Sequence, residues 1–150
     1  STLSSWTAIV EPSGTVIGLD GEADVPWGMY EHATRDDWTA ADLDGDGDDE
    51  LIAVAGYAHM GYETTTLTVS RVRAGHLVTV GEQVGLSEDN TTAVDPDDPE
   101  SGTAHTCTGT WSLVPAGREQ HLAIDLAGDA DCPRGHKVLR LAGDALVEVK

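Results

Sequence analysis

The chain has 150 residues, of which 39% are hydrophobic, and it carries 27 acidic against 8 basic residues, for a formal net charge of −19. So negative a surface repels nucleic acid and anionic membranes, and no apolar run reaches the roughly 18 residues that a membrane-spanning helix needs. The length suits one domain with a sizeable core, so we expect a single β-domain over residues 1–150.

The N-terminal part of the chain predicts short strands joined by turns. Residues 6–10 (WTAIV) and 15–19 (TVIGL) flank the turn sequence EPSG, a pattern that predicts a hairpin. Residues 21–37 have no clear period. Weak helical spacing over residues 29–38 predicts one or two helical turns there at most.

A dense group of carboxylates comes next, directly before an apolar segment. Two glycines, Gly45 and Gly47, permit a tight turn within it. Its alternating acidic residues are Asp42, Asp44, Asp46, Asp48 and Glu50. Calcium takes about six to eight oxygen ligands, and alternate side chains of a tight loop can point at one centre. Without a counter-ion these carboxylates would repel one another strongly, so the pattern predicts a calcium site.

The flanks of this loop indicate which kind of calcium site to expect. An EF-hand needs a bidentate Glu at the twelfth loop position and a helix on each side, but the twelfth position here is Ala53. The sequence DLDGDGDDELIAVAG, preceded by Trp38, instead resembles the calcium β-hairpin of FG-GAP and VCBS-type repeats over residues 37–56. The resemblance implies side-chain ligation by Asp42, Asp44, Asp46 and Glu50, a backbone carbonyl from Asp48, and flanking strands that contain Trp38 and Leu51, Ile52 and Val54.

The rest of the chain lacks a second full copy of this motif. FG-GAP and VCBS-type propellers need several repeats, whereas LDGEAD (residues 19–24) and LAGDAD (residues 126–131) only echo it, without a common period. We therefore expect one calcium hairpin within a different β-domain. A fragment of a longer FG-GAP or VCBS repeat protein is the alternative.

The middle of the chain predicts a hairpin and then a long loop. Residues 63–72 alternate, with Leu67 and Val69 on one face, and pair with the segment after residue 76 to give a hairpin over 63–84. Residues 87–105 are acidic, contain two prolines and have few apolar side chains, which predicts a flexible exposed loop. Asn90-Thr91-Thr92 has the form of a glycosylation sequon.

The C-terminal third predicts four more strands and a disulfide. The strands are expected over residues 106–114, 121–128, 137–143 and 145–150. Cys107 and Cys132 are the two cysteines of the chain, and neither belongs to a metal-binding pair of cysteines. In an acidic chain with few lysines they indicate a disulfide and an exported protein, with two separate buried thiols as the alternative.

The predicted fold is therefore mainly β, an antiparallel sandwich or barrel-like sheet with one calcium-binding hairpin loop and little helix. The predicted function is that of a secreted or surface-attached calcium-binding module with a protein or glycan partner. The alternative is a small extracellular hydrolase, or an accessory domain of one, built from scattered histidines and carboxylates. No hydrolase motif supports this alternative. The six histidines of the chain are His32, His59, His76, His105, His121 and His136.

Overall fold

The structure, a computed structural model, describes residues 6–10, 16–21, 30–31, 38–129 and 131–150, with side chains described from residue 39 onwards. These residues form eleven strands and no helix. The strands are β1 (Trp6–Val10), β2 (Val16–Gly21), β3 (Tyr30–Glu31), β4 (Trp38–Ala41), β5 (Glu50–His59), β6 (Tyr62–Arg73), β7 (His76–Asp89), β8 (Thr106–Ala116), β9 (Glu119–Gly128), β10 (Gly135–Ala142) and β11 (Ala145–Glu148).

All pairs between the described strands are antiparallel. β1 and β2 pair with each other, and the other nine strands form one sheet in the order β11-β10-β9-β8-β7-β6-β5-β3. β4 also pairs with β5, so β3 and β4 lie along different parts of one edge of β5. The mainly β prediction is confirmed. The helical turns predicted over residues 29–38 fall mostly outside the described residues, and Tyr30–Glu31 is a strand instead.

The large sheet folds over on itself into two layers. β7 and β8 pair at two positions within their described lengths, Glu88–Cys107 and Asp89–Thr106, and then diverge. Side chains from β5–β7 and from β9–β10 nevertheless share one core, which requires the two halves of the sheet to face each other. The buried core residues are Ala41, Leu43, Ile52, Leu67, Val69, Val80, Val84, Leu86, Leu122, Ile124, Leu139 and Leu141.

The alternation read from the sequence determines which side chains enter this core. In β6, Leu67 and Val69 are 0% and 1% exposed, as predicted, because successive side chains of a strand point to opposite faces. In β8, Trp111 and Leu113 face inward and pack against the core, while Thr110 and Ser112 are exposed. Each fully buried Leu, Ile or Val contributes about 1.5–3 kcal/mol of hydrophobic stabilisation.

The hairpin of β6 and β7 is longer than predicted. β7 continues to Asp89 because Glu88 and Asp89 pair with Thr64 and Glu63 of β6. The loop predicted over residues 87–105 therefore begins at residue 90, and its first three residues belong to a strand. Its flexibility stays a prediction.

The predicted disulfide is confirmed. Cys107, at the start of β8, is bonded to Cys132, in the turn between β9 and β10, with 5.4 Å between their Cα atoms. The bond thus joins this turn to the neighbouring strand, as the sequence predicted.

Candidate metal site

The acidic loop connects β4 to β5 across one end of the sheet. Ala41 pairs with Glu50, so residues 42–49 form the turn of a hairpin. Gly45 and Gly47 have φ angles of +75° and +97°, which side-chain-bearing residues rarely adopt. The two glycines predicted to permit the turn therefore adopt the positive φ angles that the turn requires.

The Asp42 carboxylate organises the backbone of this turn. Its Oδ1 accepts the Gly45 N–H at 2.7 Å, and its Oδ2 accepts the Gly47 N–H at 3.0 Å. Asp46 Oδ1 similarly accepts the Asp48 N–H at 2.8 Å. Side-chain to backbone bonds of this kind are the ordinary way in which Asp stabilises a turn.

Glu50 is the buried carboxylate of the site. Its exposed fraction is 2%, and its Oε2 accepts the Leu43 N–H at 2.9 Å. Asp42, Asp44 and Glu50 each place one carboxylate oxygen within 4.8 Å of the other two. The structure thus brings together three of the five predicted ligands.

The remaining two predicted ligands lie on the outside of the turn. Asp46 and Asp48 are exposed, and their carboxylates are not part of the group of three. The resemblance assigns a backbone carbonyl to Asp48, and nothing in the structure tests that assignment.

Arg71 is a residue of this site that sequence reasoning missed. Its Nη2 donates to Asp44 Oδ2 at 2.7 Å and to Glu50 Oε1 at 2.9 Å. Leu51 pairs with Ser70, which places Arg71 beside Glu50. A signal was present, because the alternation of Leu67 and Val69 continues to Arg71 and puts a cation on the buried face, where it needs a partner. Arg71 therefore relieves part of the expected repulsion between these carboxylates even without an ion.

The surroundings shift the pKa values of both charged partners. Burial raises the pKa of Glu50, assisted by the nearby charge of Asp44, and the Leu43 N–H and Arg71 offset this only in part. Burial acts to lower the pKa of Arg71, but its hydrogen bond to Asp44 and the charge of Glu50 outweigh burial, so that pKa is raised.

The loop also contacts the turn between β8 and β9, in the other layer. The Gln120 N–H donates to the Asp42 carbonyl oxygen at 2.9 Å. A Cβ on Gly45 would lie 3.1 Å from Cγ of Glu119, which shows how closely the two turns pack. The acidic loop therefore joins the two layers at this end of the molecule.

The described histidines do not form a second site. His105, His121 and His136 each contact a different carboxylate, namely Glu88, Glu119 and Asp125. Among the residues that the structure describes, one group of three or more potential metal ligands is found, and it consists of Asp42, Asp44 and Glu50. His32 lies outside the described residues.

A comparison of the chain with protein-family models, with curated proteins and with solved structures finds no match in any of the three. In the described parts of the chain, no helix has the length and apolar character to cross a membrane.

Proposed function

We propose that this protein is a calcium-stabilised β-domain of the cell exterior that serves as a binding module. The observation that carries the proposal is the grouping of Asp42, Asp44 and Glu50, whose oxygens lie within 4.8 Å of one another. Oxygens on opposite sides of a calcium ion lie about 4.6–5.2 Å apart, so one ion fits within reach of all three. A set of carboxylate oxygens without nitrogen or sulfur is also what a hard cation prefers.

The ion would be structural. It would fix the turn between β4 and β5, two strands that contribute Ala41 and Ile52 to the core. The same turn is bonded to Gln120 in the other layer, so fixing the turn also holds the layers together. The resemblance to FG-GAP and VCBS-type hairpins supports the same role.

Export and binding are supported by composition and by the disulfide. A bond between Cys107 and Cys132 persists in oxidising surroundings, and a net charge of −19 keeps a protein soluble there. A protein or a glycan is the proposed partner. The hydrolase alternative gains no support, because His105, His121 and His136 are paired with carboxylates at three separate places.

Calorimetric titration with calcium tests the proposal directly. We expect one site, and a melting temperature that is higher in calcium than in excess chelator. Calcium at ten times its dissociation constant would add about 1.4 kcal/mol to the free energy of unfolding. Magnesium should stabilise less, because it requires a smaller octahedral shell and keeps its waters. Identical melting curves in calcium and in chelator, for a sample shown to be free of metal, would refute the site.

A pair of matched variants separates the site from the general charge of the loop. Asp44→Asn and Asp49→Asn remove the same charge from the same turn, but only Asp44 belongs to the group of three. We expect Asp44→Asn to abolish the calcium-dependent rise in melting temperature and Asp49→Asn to retain most of it. Equal losses in both variants would indicate nonspecific attraction of cations.

The binding role requires a separate experiment. Immobilised glycans probed with the parent in calcium, and with Asp44→Asn as the control, test the glycan half of the proposal. Binding by the parent that weakens in the variant is the expected result. Equal absence of binding by both proteins would leave a protein partner as the proposal.

A further inference from the structure

Arg71 lies where part of the coordination sphere of a metal ion would be. Its Nη2 lies between Asp44 and Glu50, 2.7 and 2.9 Å from one oxygen of each, and calcium–oxygen distances are only slightly shorter, about 2.3–2.6 Å. We propose that Arg71 is an internal cation that competes with calcium for Asp44 and Glu50, and that it moves towards Asp144 when the ion binds. This inference rests on the calcium site proposed above.

Space and charge make the two cations alternatives at these oxygens. An ion bound to Asp44 Oδ2 and Glu50 Oε1 would overlap with the Nη2 nitrogen that now contacts both. It would also place two positive centres in contact within a mostly buried region, where like charges repel strongly. A divalent ion brings twice the charge of a guanidinium to the same carboxylates, so it can displace Arg71 once its concentration is high enough.

A second carboxylate lies within reach of the displaced side chain. Arg71 Nη1 is 3.8 Å from Oδ1 of Asp144, in the turn between β10 and β11. Asp144 is 55% exposed and already accepts two hydrogen bonds from Arg73, at 3.0 and 2.5 Å. A small rotation of Arg71 would bring its guanidinium onto this carboxylate without removing it from the protein surface.

The present position of Arg71 also leaves one of its donors unsatisfied. Its Nε is buried and has no hydrogen-bond partner. A buried donor without a partner is unfavourable, so this position is less stable than the contacts of Nη2 alone suggest. The arginine-bound and calcium-bound loops are thus two forms of one turn, in each of which a cation offsets part of the carboxylate charge, and the need to displace Arg71 lowers the apparent calcium affinity.

The test compares Arg71→Met with Arg73→Met. Each variant removes one positive charge from the same strand, β6. Arg73 contacts Asp144 but neither of the two ligands. We expect Arg71→Met to bind calcium at least about ten-fold more tightly than Arg73→Met, because the competing charged hydrogen bonds are gone. Without metal, Arg71→Met should melt at a lower temperature than the parent.

The possible results separate this inference from the calcium site itself. If the parent binds calcium and Arg71→Met binds no more tightly than Arg73→Met, the inference fails while the site stands. If the parent does not bind and Arg71→Met does, Arg71 replaces the ion in the native chain and competition is confirmed. Absence of binding in both refutes both proposals.

A measurement on the parent covers the case in which Arg71→Met does not fold without calcium. The side-chain Nε–Hε signal of Arg71, assigned with Arg71→Lys, should shift in proportion to bound calcium in a nuclear magnetic resonance titration. A signal that stays unchanged at calcium saturation would show that the guanidinium does not move, and would overturn the inference.

Discussion

Gly109 shows how a single missing side chain sets the distance between strands. It lies in β8 at an inward-facing position, close to where β7 and β8 diverge. A Cβ there would lie 2.5 Å from the Leu86 carbonyl oxygen and 2.8 Å from Cδ2 of Leu126. Both distances are shorter than a normal contact, so the two layers approach this closely only because the residue is glycine.

Substitution of Gly109 should therefore destabilise the protein. We expect Gly109→Ala to lower the free energy of unfolding by about 1–3 kcal/mol, as overpacking of a core does. Gly85→Ala is the matched control, since a Cβ at Gly85 meets no atom within 4 Å. Urea denaturation of both variants measures the difference. A Gly109→Ala variant as stable as Gly85→Ala would mean that β7 and β8 can separate at no cost.

At the scale of elements, one buried side chain helps to close the loop between β7 and β8. Asn90 is 3% exposed, its Nδ2 donates to the Thr103 carbonyl oxygen at 3.1 Å, and its Oδ1 accepts the His105 N–H at 2.7 Å. Its amide therefore holds the two ends of an acidic loop together. Because Nδ2 and Oδ1 of Asn90 are both hydrogen-bonded within the loop, glycosylation of Asn90 would require the loop to open.

Loss of this amide should open the loop without unfolding the sandwich. We expect Asn90→Ala to increase the rate of limited proteolysis within residues 91–104 by about ten-fold, because the Thr103 carbonyl oxygen and the His105 N–H lose their partner. Thr92→Val is the control, since Thr92 donates one exposed hydrogen bond to the Gly61 carbonyl oxygen. The melting temperature should change little. Cleavage at equal rates in Asn90→Ala and the parent would contradict the role of Asn90 in closing the loop.

Strands with regular alternation could be predicted from sequence, and long-range partners could not. β6 and β8 follow from the spacing of Leu67 and Val69 and of Trp111 and Leu113, because alternation is a local property of a strand. The end of β7 depends on pairing with Glu63 and Thr64, more than twenty residues earlier, and lacks a local signal. Asn90 has the local pattern of a loop residue, and only its contacts with Thr103 and His105 reveal its role.

The candidate site likewise has features that could be predicted from the sequence and features that could not. Alternating acids and two glycines predict a tight turn and a set of ligands, and the turn is where the sequence places it. Arg71 lies 27 residues from Asp44 and 21 from Glu50, so its contribution depends on the register of β5 and β6. Its inward position was readable from the alternation, but the identity of its partners was not.

For the whole molecule, the disulfide is expected to be a major source of stability. It closes a loop with a sequence separation of 25 residues. The double variant Cys107→Ser, Cys132→Ser should lose about 3 kcal/mol of unfolding free energy, chiefly because its unfolded chain is less restricted. Urea denaturation measures this, and the reduced parent should behave like the variant. A loss below about 0.5 kcal/mol, the usual range for surface changes, would contradict this role of the bond.

The position of this bond relative to the acidic loop has a consequence for how the molecule opens. Cys107 is the second residue of β8, whereas the acidic loop touches the turn that follows β8, about 30 Å further along the strand. A reductant breaks the bond at the first end and leaves the hydrogen bond between the acidic loop and Gln120 at the second end in place. Reduction therefore acts on one end of the sandwich, and the reduced molecule would start to open from the side of Cys107.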